Sequence, residues 1–125
     1  MSIQAYQRAS AQAESPREAE YRIFGLVTAG LISAQEKGRD DLPTLSHAID
    51  RNRRLWSLLA QDCASPGNAL AAPVKAQIIS ISMWVSRYSS AVVREGEDIT
   101  PLIDVNRSMM QGLASSTPEP VAAPS

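Results

Sequence analysis

The chain has 125 residues, enough for one domain with a core of ordinary size and no disulfide or metal staples. With 44% hydrophobic residues and 12 basic against 13 acidic side chains, it has neither the basic excess of a nucleic-acid binder nor the polybasic tract of a membrane-surface protein. A single cysteine, Cys63, excludes an internal disulfide, and MSIQAYQRASAQAE at the start holds no apolar run of signal-peptide length, so a cytoplasmic location is expected.

The opening segment is polar and alanine-rich, with Ile3 and Tyr6 its only sizeable apolar groups. Ser15-Pro16-Arg17-Glu18 is a helix start: serine caps, proline fits the first helical position, and Glu18 stands where a capping box places it. The helical pattern runs over 16–37, with Phe24, Val27 and Leu31 on one face and Ile23 and Leu26 widening it, and Gly38 ends it. Pro43-Thr44 opens a second helix, with Thr44 as its cap, reaching about residue 64. Its stripe is Leu45, Ile49, Asn52, Leu55, Trp56 and Leu59, while Arg51, Arg53 and Arg54 belong to a solvated face and Asp50 is spaced to pair with Arg54.

After the turn Ser65-Pro66-Gly67-Asn68, residues 73–94 form the most apolar stretch. Ile78, Ile81, Val85, Tyr88 and Val92 make one stripe, Ile79 and Met83 lie opposite, and Trp84 fills the arc between. A helix apolar nearly all round is expected to be enclosed, so this one is assigned as the central helix of a small bundle. It is too short and too serine-rich to span a bilayer. Gly96 stops it, and Thr100-Pro101 starts a last helix over about 101–111, striped with Leu102, Val105, Asn106, Met109 and Leu113. Residues 114–125, with three prolines among small polar neighbours, are expected to be a disordered tail. The expected fold is all-α: a single domain over 1–113 with about four main helices around a central apolar one.

Little in the chain carries chemistry. His47 is a lone histidine without metal-ligand partners, and Cys63 has no second cysteine or neighbouring histidine. No glycine-rich phosphate loop is present; Gly25 and Gly30 lie inside a helix, where they are expected to allow close packing. No cofactor, no metal and no enzymatic activity are expected. The unusual polar residues are Asn52 and Asn106, each inside an apolar stripe. A structural core amide is the first explanation for such a residue, and a polar contact inside a peptide-binding groove the second. Met109 and Met110 are core filler or part of an adaptable helix-binding surface.

In order along the chain stand Ala5-Tyr6-Gln7, Ser15-Pro16-Arg17-Glu18 with Glu20, and Asn52 with Leu55-Trp56, Leu59 and Asp62. Then come Pro66, Asn68 and Leu70, the block Ala76, Ile78-Ile79-Ser80-Ile81 and Trp84-Val85, and finally Pro101 to Asn106, Met109 and Gly112-Leu113. On these residues the chain resembles the flagellar biosynthesis regulator FlaF family over 5–113, although Ala71-Ala72 stands where that pattern has a proline soon after the leucine. The resemblance implies a cytoplasmic accessory factor of flagellum assembly acting on flagellin, alongside a second regulator, FlbT. The N-terminal order is also similar to the flagellin export chaperone FliS, a small helical bundle. The function implied is a chaperone that holds the terminal helical segments of flagellin. The alternative is a regulator of flagellin expression acting through FlbT or flagellin mRNA. Direct nucleic-acid binding finds no support in a near-neutral charge. Partner-binding candidates are Ile3 and Tyr6 on the leader, Trp56, Trp84, Met109 and Met110 as groove walls, and Asn52 and Asn106 as polar contacts.

Overall fold

Helix boundaries fall where capping chemistry puts them. In a computed structural model that describes residues 15–115 together with Ile3, four long helices follow one another. Helix α1 is Pro16–Lys37, with the Ser15 hydroxyl accepting from the Glu18 N–H at 3.1 Å and Gly38, at φ 77°, closing it. Helix α2 is Leu42–Ala64. Its cap is Asp41 and not Thr44: the Asp41 carboxylate accepts from the Thr44 N–H at 3.2 Å and from its hydroxyl at 2.7 Å. A carboxylate satisfies the orphan amides and also faces the positive end of the helix dipole, so it displaces the neutral hydroxyl one turn inward.

Helix α3 is Ala72–Glu95 and ends on left-handed Gly96 at φ 76°. Helix α4 is Thr100–Ser115, with Asp98 accepting from the Thr100 N–H at 2.9 Å. It runs through Gly112 and takes in the first two residues of the expected tail; the rest of that tail lies outside the described residues. No strand occurs among the described residues, and no helix there is long and apolar enough to cross a membrane. The fold is an all-α bundle.

Short connections make successive helices antiparallel neighbours. Helix α2 packs most extensively on α3, α1 packs on both α2 and α4, and α3 and α4 touch least of the adjacent pairs. The centre is Phe24 against Trp56, edge to face with centroids 5.5 Å apart, surrounded by Leu31, Ile49, Val85 and Leu102. A polar chain crosses this core. Trp56 Nε1 donates to Asn106 Oδ1 at 2.9 Å, and Asn106 Nδ2 donates to Asn52 Oδ1 at 2.7 Å and to Thr28 Oγ1 at 3.1 Å. Thr28 in turn donates to the Phe24 carbonyl at 2.6 Å. Three helices are thereby keyed to one register, α1 by Thr28, α2 by Asn52 and Trp56, α4 by Asn106.

Helix α3 is not the enclosed centre that its composition implies. Its buried face is Ile78, Ser82, Val85, Ser89 and Val92, while Met83 is 57% exposed. Trp84 and Tyr88 are half-buried and stack on each other at 5.0 Å. Two small serines at heptad spacing let α3 approach α2 closely, and Ser82 Oγ donates to the Trp56 carbonyl at 3.1 Å. Arg53, assigned to the solvated face, instead donates to the Ser86 carbonyl at 3.3 Å and Ser90 Oγ at 3.0 Å of α3. On α1, Ile23 and Leu26 are exposed, and Thr28 and Ala34 take the buried positions. Gly25 and Gly30 admit no unusually close neighbour: a Cβ at Gly25 meets Met110 Cε at 3.6 Å, and one at Gly30 meets nothing within 4 Å.

Candidate functional site: the open seam between α3 and α4

The antiparallel order brings the start of α1, the end of α2, the start of α3 and the end of α4 to one end of the bundle. At the opposite end α3 and α4 are joined by a short link, pinned where Tyr88 Oη donates to the Asp98 carbonyl at 2.6 Å. Arg39, from the α1–α2 turn, reaches across and donates to the Val92 and Val93 carbonyls at 2.9 and 3.4 Å, closing the end of α3. Away from that pin the two helices make few contacts, and a groove of about 410 Å³ opens between them.

Its α3 wall is Val74, Gln77, Ile78 and Ile81; its α4 wall is Val105, Ser108, Met109, Gly112 and Leu113. Trp56, Leu59 and Cys63 of α2 form the floor, and Leu70 stands at the rim. Arg17 and Glu20 of α1 and Asp62 of α2 line the same groove at the end where α1 begins. The groove is therefore apolar along its length and charged at one end. Burial, and next the charge of Asp62, push the Glu20 carboxyl above its ordinary value, against a smaller opposing effect of Arg17. Burial likewise pushes the Cys63 thiol up, Asp62 adding to it and Lys75 opposing. A thiol held in its neutral form is a packing group and not a nucleophile.

Of the expected partner-binding residues, Met109 stands in the groove wall and Trp56 underlies the floor, itself only 1% exposed. Asn52 and Asn106 are both 0% exposed; Asn106 commits both ends of its amide to the core chain and Asn52 its oxygen, so neither is placed to meet a docked partner. Met110 turns away from the groove toward α1, its Sδ 4.0 Å from Thr28 Oγ1. Trp84 lies beyond the groove's lining, on the α3 flank that continues it. Ile3 is 75% exposed, and Tyr6 lies outside the described residues. Sequence reasoning passed over Glu20, Asp62, Leu70 and Val74 as site residues. The available signal was the flank of α4 that carries Val105, Met109 and Leu113 at four-residue spacing beside the buried Leu102 and Asn106.

Among the described residues no group of three or more His, Cys, Asp or Glu is placed to hold a metal ion. Neither the curated proteins nor the solved structures contain a match to this chain. The family described as flagellar protein FlaF matches residues 2–113. That span takes in all the groove-lining residues, and the chain belongs to the FlaF family of flagellar proteins.

Proposed function

We propose that this protein is a cytoplasmic flagellin-binding chaperone, a non-enzymatic factor that masks a terminal helix of flagellin and so supports flagellin synthesis and export. The observation that carries this is the apolar seam left open between α3 and α4 in a bundle whose other adjacent helix pairs are well packed. Membership of a flagellar family supports flagellin as the partner.

The groove has the dimensions of a helix anchor. Val74 to Ile81 on α3 spans about 10 Å, which is about two turns of a docked helix. Two turns present about three apolar side chains, at i, i+3 or i+4, and i+7. Burying each contributes roughly 1.5–3 kcal/mol before association and ordering costs. Such an anchor is the centre of a longer interface, with the exposed Leu70 and Val74 at its rim.

Titrating the full chain with its cognate flagellin by calorimetry tests the proposal. A saturable complex at micromolar protein is expected, and its absence at tens of micromolar overturns it. Co-purification from cells that brings down FlbT without flagellin would instead assign the role to regulation of flagellin expression through FlbT.

A further inference from the structure

The two ends of the groove differ, and that difference gives a docked helix a direction. At one end stand Glu20 and Asp62, with Arg17 beside them; toward the other the lining is Trp56, Ile81 and Val105. Glu20 is half-buried, and its carboxylate has neither hydrogen bond nor ion pair among the described residues. Among the described residues, the Asp62 carboxylate accepts only from the neutral amide of Asn68, at 3.1 Å. Lys75 is the further charge near this end, on α3. At two separate groups, Glu20 and Cys63, the charge that acts most strongly is Asp62, ahead of Arg17 at the first and Lys75 at the second. At both groups the carboxylate of Asp62 outweighs the cation that opposes it.

We propose that the partner helix lies in the α3–α4 groove with its N-terminus at the Glu20–Asp62 end. This rests on the chaperone reading and adds a polarity to it. A helix N-terminus carries about half a positive charge and up to four backbone N–H groups without internal partners. Two carboxylates that lack cationic hydrogen-bond partners are the complement of such an end. In the reverse direction the unpaired carbonyls of a helix C-terminus would face those carboxylates, oxygen against oxygen. The apolar remainder of the groove is indifferent to direction, so the charged end decides it.

Photo-crosslinking of the full chain to its cognate flagellin reads the direction. A benzoylphenylalanine replaces Leu70 at the charged end in one variant, and Trp84, seven residues beyond Gln77 on the same α3 flank, in another. The flagellin residue captured from position 70 is expected to precede, on one helix, the residue captured from position 84. The reverse order, or both orders equally, overturns the proposal and leaves the chaperone reading standing. No complex with either variant or with the wild-type chain overturns both. As a second measurement, Glu20→Gln with Asp62→Asn should weaken flagellin binding about 3- to 10-fold, with the helical circular dichroism unchanged. Unchanged or tighter binding would count against it.

Discussion

Trp56 Nε1 and Asn106 Oδ1 meet 2.9 Å apart in the middle of the bundle, neither residue exposed by more than 1%. That bond is one of three made by the Asn106 amide, whose nitrogen also serves Asn52 and Thr28. Asn106→Leu leaves at least the Trp56 N–H and the Asn52 carbonyl oxygen buried without partners, at about 1–3 kcal/mol each. The expected result is a large fall in the urea midpoint. Asn52→Leu added to Asn106→Leu should recover part of that loss, because an apolar pair no longer orphans the Asn52 oxygen; a double-mutant cycle measures the coupling.

The two tryptophans should behave very differently. Trp56→Ala empties the centre of the core and is expected to cost about 3–5 kcal/mol. Trp84 is half-buried and leans on Tyr88, so Trp84→Ala loses mainly a stacked pair of about 0.5–1.5 kcal/mol and a modest apolar area. Equilibrium denaturation of both variants separates the cases. Equal losses would mean that α3 is enclosed after all.

Gly30 sits inside α1 with open space where a Cβ would go. Gly30→Ala should therefore stabilise the protein by about 0.5–1 kcal/mol through helix propensity alone. Thermal melting shows it as a higher midpoint. No change, or a drop, would mean that something unseen packs on this face.

Leu70 and Val74 are exposed at the groove rim, so Leu70→Ser with Val74→Gln should change stability by only about 0.5 kcal/mol per site. Flagellin affinity should fall at least about tenfold, the loss of one well-buried apolar contact or more. Calorimetric titration beside a melting curve distinguishes lost binding from lost fold.

Acid should act in two opposed stages. The Thr44 hydroxyl and N–H hold the Asp41 carboxyl below its usual range, and the Thr100 N–H and hydroxyl do the same for Asp98. A carboxyl depressed by folding adds stability above its unfolded value and loses it as pH falls through the folded one. Glu20 has the other sign: burial beside Asp62 raises it, so protonation relieves the folded state as pH falls through its raised value. The melting midpoint should hold or rise slightly from neutral toward about pH 5, then fall below about pH 4. Glu20→Gln should remove the first stage, and Asp41→Ala with Asp98→Ala should flatten the second while lowering stability at neutral pH.

Much of the bundle was legible along the chain, because caps and stops are local. Ser15, Gly38 and Gly96 mark boundaries by chemistry contained within a few residues. The main inward stripes were readable too, Phe24, Val27 and Leu31 on α1, Ile49, Asn52 and Trp56 on α2, and Leu102 and Asn106 on α4 among them; what could not be read was how the flanks of α1 and α3 sort between core and surface. Ser82 and Ser89 are buried because small side chains admit the α2 backbone closely, whereas Met83 is larger, more apolar and outside. Composition ranks those residues in the opposite order. The asparagines were visible as anomalies, but whether they face a core or a groove depends on three helices meeting at Asn106. The groove itself was hidden for a similar reason. It is a scarcity of contact between α3 and α4, and its charged residues Glu20 and Asp62 come from two other helices.

The pin at Tyr88 and Asp98, with Arg39 locking the adjoining turn, makes α3 and α4 a pair of tweezers joined at the heel. Such a tool opens by angle: a small rotation at the heel moves the tips by several times more than the middle. In the proposed complex the lining nearer the heel, at Ile81 and Val105, would then be stringent about side-chain size, and the tips at Leu70 and Leu113 tolerant. In that complex, discrimination between related partner sequences would fall to the residue seated nearest the heel, with variation at the tips absorbed.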